Sequence, residues 1–246
     1  MMPSLLTTAA LFFGFFSIIY TLRSLLFGRE EFLWAGISIV MAGFLDNLDG
    51  RLARLMKAES EFGLQFDSIA DTVSFGVAPA VLVYGAALIH LDRIGWCGAF
   101  LFLACAAIRL ARFNVSGVGS AKKYFKGLSS PAAAGGLAVS LLIISDFLEG
   151  SFFHYVILGI TVLLALLMVS NIRFRSFKDM DVKRYPLQTF LVVALILVFI
   201  FSFRLVALFI IFLMYLAAGA FEEFFLWRRR RRSDPHVPFL PFGDRE

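Results

Sequence analysis

The chain is 246 residues long, 60% hydrophobic and 17% charged, with 30 phenylalanines and a mean hydropathy of +0.83. Soluble domains run at roughly 45–50% apolar and 25% charged, so a soluble globular protein is excluded. At this hydropathy the excess of 23 Lys and Arg over 18 Asp and Glu describes loops facing an anionic membrane surface rather than a nucleic-acid-binding face.

Eight stretches contain no Asp, Glu, Lys or Arg: residues 4–22, 32–45, 72–91, 94–108, 127–145, 150–172, 185–203 and 205–221. A helix needs roughly 20 apolar residues to cross the hydrocarbon, and the alternation of barrel strands is absent. The expected fold is therefore an all-α polytopic membrane protein with eight transmembrane helices, one for each stretch. The first stretch lacks a basic leader and a small-residue cleavage site and is expected to stay as a helix. The second and fourth are short, so each must continue through charged residues at one end. Pro3, Pro131 and Pro186 stand near the starts of apolar runs, where a missing amide hydrogen costs nothing. Pro79 instead falls inside the third helix, which can run from Glu61 to His90, and predicts a bend near Ala78. Cys97 and Cys105 share the fourth helix about 12 Å of rise apart, too far for a disulfide, and read as small buried hydrophobes. His90 and His154 fall near the outer helix ends and carry no predicted chemistry.

Orientation follows from the cations. With a cytoplasmic N-terminus, the inner loops hold Arg51, Arg54 and Lys57, then Arg112, Lys122, Lys123 and Lys126, then Arg173, Arg175, Lys178, Lys183 and Arg184. The outer loops keep Arg23, Arg29, Arg93 and Arg204. Both termini are thus expected in the cytoplasm, although Arg23 and Arg29 follow the first helix directly, beside Glu30 and Glu31. Residues 1–226 read as a single membrane-embedded domain and 227–246 as a basic cytoplasmic tail. In that tail the run Arg228 to Arg232 after Trp227 forms a stop and lipid-surface patch.

The chemistry gathers at the junction of helices two and three. Asp46 and Asp49 lie three apart and share one helix face, with small Gly50 and Ala53 beside them; Asp67 and Asp71 repeat the arrangement one turn apart. Four acids at the same end of two antiparallel helices repel one another, and each ionised acid near mid-membrane costs on the order of 2.5–3.5 kcal/mol. Oxygen-only ligation suits a hard cation, Mg²⁺ or Mn²⁺, and argues against zinc or copper. A pair of such ions can hold a pyrophosphate, with Gly50 and Ala53 leaving room for a base or phosphate against the helix. The alternative is a solvated loop in which Arg51, Arg54 and Lys57 pair with the acids.

The pattern Asp46-x2-Asp49-Gly50-x2-Ala53-Arg54-x8-Gly63-x3-Asp67-x3-Asp71 resembles, at every defined position, the signature of the CDP-alcohol phosphotransferases. That resemblance implies a membrane enzyme moving a phosphate-bearing group from a CDP-linked donor to an alcohol with release of CMP. It makes residues 1–226 a catalytic domain with its motif at 46–71. It also implies that Asp46, Asp49, Asp67 and Asp71 bind metal, with Asp71 the general base, and that Asp49, Gly50, Ala53, Arg54 and Gly63 receive the nucleotide. The stretches Ser60 to Pro79, Ala111 to Val115 and Tyr124 to Ala134 look like those of the family's branch that uses CDP-diacylglycerol and L-serine. The likeness covers roughly the first 180 residues and implies a homodimer. Ala10 departs from it, standing where the family has Asn.

Other polar groups fall around this motif. Arg112 and Asn114 end the fourth helix and are candidates for the serine carboxylate or a lipid phosphate, as are Lys123, Lys126 and Arg173. Arg109 divides between the same role and a positive-inside anchor. Lys122, Lys123 and Lys126 fit either nucleotide steering or a lipid-facing basic surface, and Arg173, Arg175 and Lys178 read as interfacial anchors. Gly135 and Gly136 with Ala132 to Ala134 offer a small-residue face for close packing. Within the enzyme class the alternative acceptors are glycerol 3-phosphate and an inositol phosphate. An ion-coupled transporter would also carry intramembrane acids, but would place polar groups at mid-depth in several helices.

Overall fold

A computed structural model describes residues 2–28, 30–56, 61–115, 124–148, 150–170 and 172–175, together with scattered positions between Val206 and Ala217. In chain order the elements are α1 (Met2–Phe27), α2 (Glu30–Met56), α3 (Glu61–Asp71), a π-helical segment (Thr72–Val77) and α4 (Ala78–Ala86). A 3₁₀ turn (Leu88–Leu91), α5 (Asp92–Val115), β1 (Tyr124–Lys126), α6 (Ser130–Phe147), α7 (Ser151–Val169) and β2 (Arg173–Arg175) follow.

Among the described residues six helical spans are long and apolar enough to cross a membrane: Leu5–Phe27, Glu31–Gly50, Glu61–Ala86, Leu88–Val115, Ser130–Phe147 and Ser151–Val169. They correspond to the first six expected helices. The stretch 185–203 lies outside the described residues, and 205–221 is described only at helical positions such as Phe212, which packs against Gly136 of α6. As the charge pattern requires, α2 runs on through Asp46 and Asp49 to Met56, and α5 through Arg109 and Arg112 to Val115.

Large side chains of α1, among them Phe12, Phe15, Leu22 and Leu26, are exposed, as expected of a lipid-facing surface. Its buried face consists of Thr7, Ala10, Gly14, Ser17, Thr21 and Ser24. Alternating steps of three and four between these positions draw a seam of small residues down one side of the helix, which lets neighbouring helices approach closely where lipid tails offer no hydrophobic drive for helix association; Gly14 lies against Ser74 of the π segment and Thr21 against Gly85 of α4. The core includes Ile39 of α2, Phe75 of the π segment, Leu82 of α4, Phe102 of α5, Leu137 of α6 and Leu164 of α7.

The third span is one continuous helix with an altered pitch. Pro79 has no amide hydrogen to give the i−4 carbonyl, and immediately before it the Ala78 N–H bonds Val73 O, five residues back. Where the sequence predicts a bend near Ala78, the helix carries a π segment that begins at the residue after Asp71. This helix ends at Ala86, short of the expected His90, because the chain turns through Ala87 (φ −135°) into the 3₁₀ turn. Asp92, at φ 43°, then starts α5. Cys97 and Cys105 are both free thiols on α5; Cys105 is buried, whereas Cys97 is exposed, correcting the expectation of two buried groups.

One further element was not anticipated. β1 and β2 pair antiparallel, with Tyr124 opposite Arg175, Phe125 opposite Phe174 and Lys126 opposite Arg173. Next to it Gly127 N–H donates to Ile172 O at 2.8 Å and Leu128 N–H to Leu167 O at 3.0 Å. The ribbon ties the entry to α6 to the exit from α7, at the end of the bundle where α2 and α5 end and α3 begins.

Candidate active site

Two helices supply the acids. On α2 the i, i+3 spacing turns Asp46 and Asp49 to one side, and on α3 the i, i+4 spacing does the same for Asp67 and Asp71. One carboxylate oxygen from each of Asp46, Asp67 and Asp71 lies within 4.8 Å of the others. The carboxyls of Asp46 and Asp71 are hydrogen-bonded to each other. Carboxylates this close need a shared proton or a cation between them.

Asp49 stands outside that trio, although it is near enough to Asp46 and Asp67 for mutual repulsion. It is the most buried of the four, 6% exposed. Its Oδ2 accepts a hydrogen bond from Thr7 Oγ1 of α1, while Oδ1 is buried with no hydrogen-bond partner among the described residues. An ionised oxygen out of water and unpaired is costly, and a cation is the partner that the chemistry of this site calls for. Oxygen donors alone make up the trio, and no His or Cys joins it among the described residues. The donor set fits a hard divalent ion.

Arg109 reaches this centre from α5. Its Nη1 donates to Ser130 Oγ at 2.9 Å, and its charge attracts Asp71. Ser130, fully buried, opens α6 just before Pro131. Asn114 Nδ2 donates to Ser68 Oγ at 2.9 Å, beside Asp67, whereas Arg112 Nη1 points to Val169 O at 3.4 Å, at the end of α7.

The remaining sequence-predicted residues spread around this end. A Cβ added to Gly50 would meet nothing within 4 Å, so the helix face next to Asp49 borders open space. Ala53 and Arg54 continue α2 beyond it, and Gly63 sits on α3 one turn before Asp67. Lys126 and Arg173 occupy opposite register positions of the β ribbon; Lys123 lies outside the described residues. The sequence reading passed over Thr7, Ser68 and Ser130 and left Arg109 undecided. A signal existed for Arg109, a charge set inside an otherwise apolar helix, but single hydroxyls in apolar helices carry none.

The CDP-alcohol phosphatidyltransferase family matches residues 1–167. The chain belongs to that family. It is 40% identical over 228 residues to a CDP-diacylglycerol--serine O-phosphatidyltransferase of Helicobacter pylori (strain J99 / ATCC 700824), covering 91% of each chain. A protein of the same name from Methanocaldococcus jannaschii is 35% identical over 160 residues, 65% of this chain and 73% of the relative. One from Saccharomyces cerevisiae is 38% identical over 135 residues, 49% of this chain and 46% of the relative. The span matched by the family includes every acid of the centre, the π segment and the Arg109–Ser130 contact, and the chain is an integral membrane member of the family.

Proposed function

We propose that this protein transfers the phosphatidyl group of CDP-diacylglycerol to the hydroxyl of L-serine, giving phosphatidylserine and CMP, at the acid cluster between α2 and α3. The observation that carries the reading is the gathering of Asp46, Asp67 and Asp71 within 4.8 Å, with the buried Asp49 beside them. The serine acceptor is supported by relatives whose names state it, one of them matching over 91% of the chain.

Asp46, Asp49, Asp67 and Asp71 would hold Mg²⁺ or Mn²⁺, two ions being the number that a diphosphate substrate calls for. When bound, these ions neutralise charge on the diphosphate and on the departing CMP. Asp71 takes the proton of the serine hydroxyl as its oxygen bonds the lipid-linked phosphorus and the bond to CMP breaks. Arg109 keeps a positive charge next to Asp71 and, through Ser130, ties α5 to α6 behind it. Asp49, Gly50, Ala53, Arg54 and Gly63 line the nucleotide side, where Gly50 leaves the helix open. Arg112 and Asn114, together with Lys123, Lys126 and Arg173, receive the serine carboxylate or the lipid phosphate. The inner-loop cations put this end of the bundle, and both termini, in the cytoplasm. The family resemblance supports a homodimer.

Purified protein given CDP-diacylglycerol with L-serine, glycerol 3-phosphate or an inositol phosphate in turn tests the reading through CMP release and the lipid formed. Serine is expected to support turnover, chelator to stop it, and Mg²⁺ or Mn²⁺ to restore it. Release of CMP with glycerol 3-phosphate but not serine overturns the acceptor, and full turnover in excess chelator overturns the metal centre.

A further inference from the structure

Hydroxyls on these spans mostly do one thing. Thr21, Ser38, Ser68, Thr72, Ser140 and Thr161 each donate to the carbonyl four residues back, at 2.6 to 3.0 Å, the local bond that Ser and Thr form inside helices. Thr7 and Ser74 donate between spans, and both bonds join α1 to the acid-bearing helices. Thr7 Oγ1 gives its proton to Oδ2 of Asp49, 42 residues away. Ser74 Oγ, three residues past Asp71, donates to Ala10 O at 3.1 Å.

Thr7 is buried, 4% exposed, as is its acceptor. Only one oxygen of Asp49 is taken by that bond; the other is buried and unpartnered among the described residues. A carboxylate fixed through one oxygen presents the second in a set direction, which is how outer partners orient metal ligands. Thr7 enters from a third helix, one that contributes no carboxylate to the centre.

We propose that Thr7 is a positioning residue of the metal centre: its bond to Oδ2 sets the rotamer of Asp49 so that Oδ1 faces the divalent ion. The inference rests on the metal-centre reading of the four acids and adds α1 to the elements that determine metal affinity. The Thr7 hydroxyl itself touches neither ion nor substrate in this assignment.

Mn²⁺ binding to the full-length protein in lipid nanodiscs, without substrate, followed by electron paramagnetic resonance and competed with Mg²⁺, provides the test. Thr7→Val keeps the shape and removes the donor; Thr7→Ser keeps the donor. The valine variant is expected to need about tenfold to 100-fold more Mn²⁺ for half-saturation, the usual loss when an outer partner of a ligand is removed. The serine variant should stay within about twofold of the parent by the same reasoning. A cycle with Asp49→Asn guards against a folding defect: if Thr7 acts through Asp49, adding Thr7→Val to Asp49→Asn produces no further loss. Parental Mn²⁺ affinity in a folded Thr7→Val, or multiplicative losses in the double variant, overturns the assignment while leaving the metal centre standing. Failure of the unaltered protein to bind Mn²⁺ overturns the metal-centre reading itself, and this inference with it.

Discussion

At the scale of single residues the proposed mechanism divides the site into groups that hold charge and groups that move a proton. Asp46 and Asp67 belong to different helices yet bring oxygens within 4.8 Å, so loss of either charge should loosen the ion and the nucleotide together. Asp46→Asn is expected to raise the metal requirement and weaken CDP-diacylglycerol binding in the same proportion. Asp71→Asn should keep much of the donor binding and lose turnover by about 10²- to 10⁴-fold, the contribution of a positioned base. Equilibrium donor binding set beside CMP release distinguishes the two. Near-normal turnover in Asp71→Asn would show that another group takes the serine proton.

The proposed acceptor residues allow a similar separation. Asn114 is anchored to Ser68 beside Asp67, and the exposed Arg112 is in reach of the Val169 carbonyl at 3.4 Å. A charge-assisted contact to a carboxylate is worth roughly 1.5–3 kcal/mol, or about tenfold or more in affinity. Arg112→Ala is therefore expected to shift the serine saturation curve by that factor while CDP-diacylglycerol binding stays nearly intact. Lost donor binding with unaltered serine saturation would assign Arg112 to the lipid phosphate and leave the carboxylate to Lys123, Lys126 or Arg173.

At the scale of elements the informative contact is between α1 and the π segment. A Cβ on Gly14 would stand 2.7 Å from Cα of Ser74, a backbone atom that cannot turn aside. Gly14→Ala is expected to force the helices apart and cost about 1–3 kcal/mol, as overpacking does. It should also break the Ser74 bond to Ala10 O next to Asp71. A fall in the unfolding temperature of the detergent-solubilised protein, together with reduced Mn²⁺ affinity, is the expected outcome; unchanged values for both would show that α1 yields without disturbing the acids. The widened turn after Asp71 gives the third span its packing face for α1, because an i→i−5 segment rotates the residues beyond it relative to a regular α-helix.

At the scale of the whole molecule, the acids, the β ribbon, the end of α5 and the start of α6 meet at one end of the bundle, and the connection from α4 to α5 lies at the other. In the proposed orientation, which follows the positive-inside pattern, the acid end faces the cytoplasm. In a variant with Cys97 and Cys105 replaced, Arg93→Cys, exposed at the start of α5, is expected to react with a membrane-impermeant thiol reagent in intact cells. Glu61→Cys, exposed at the start of α3, should react only after permeabilisation. The opposite pattern would invert the topology and move the serine site away from the cytoplasm.

The sequence by itself determined the membrane class, the first six spans and the acid motif. These depend on local quantities: the length of uncharged runs, the places where cations interrupt them, and carboxylate spacings that match a helical turn. Fixed intervals within Asp46 to Asp71 can be read without knowing what lies opposite. Tertiary structure alone decided which oxygens meet. It separated Asp49 from the trio of Asp46, Asp67 and Asp71, turned Arg109 toward Asp71 and Ser130, and set Lys126 against Arg173 in an unpredicted ribbon. It also revealed the seam of α1, which apolar periodicity conceals because in a membrane the packed face carries the small and hydroxylated residues while the large apolar ones face lipid. The partners of Thr7 and Ser74 lie 42 and 64 residues away. No local pattern encodes such a pairing, because it exists only once the helices have packed.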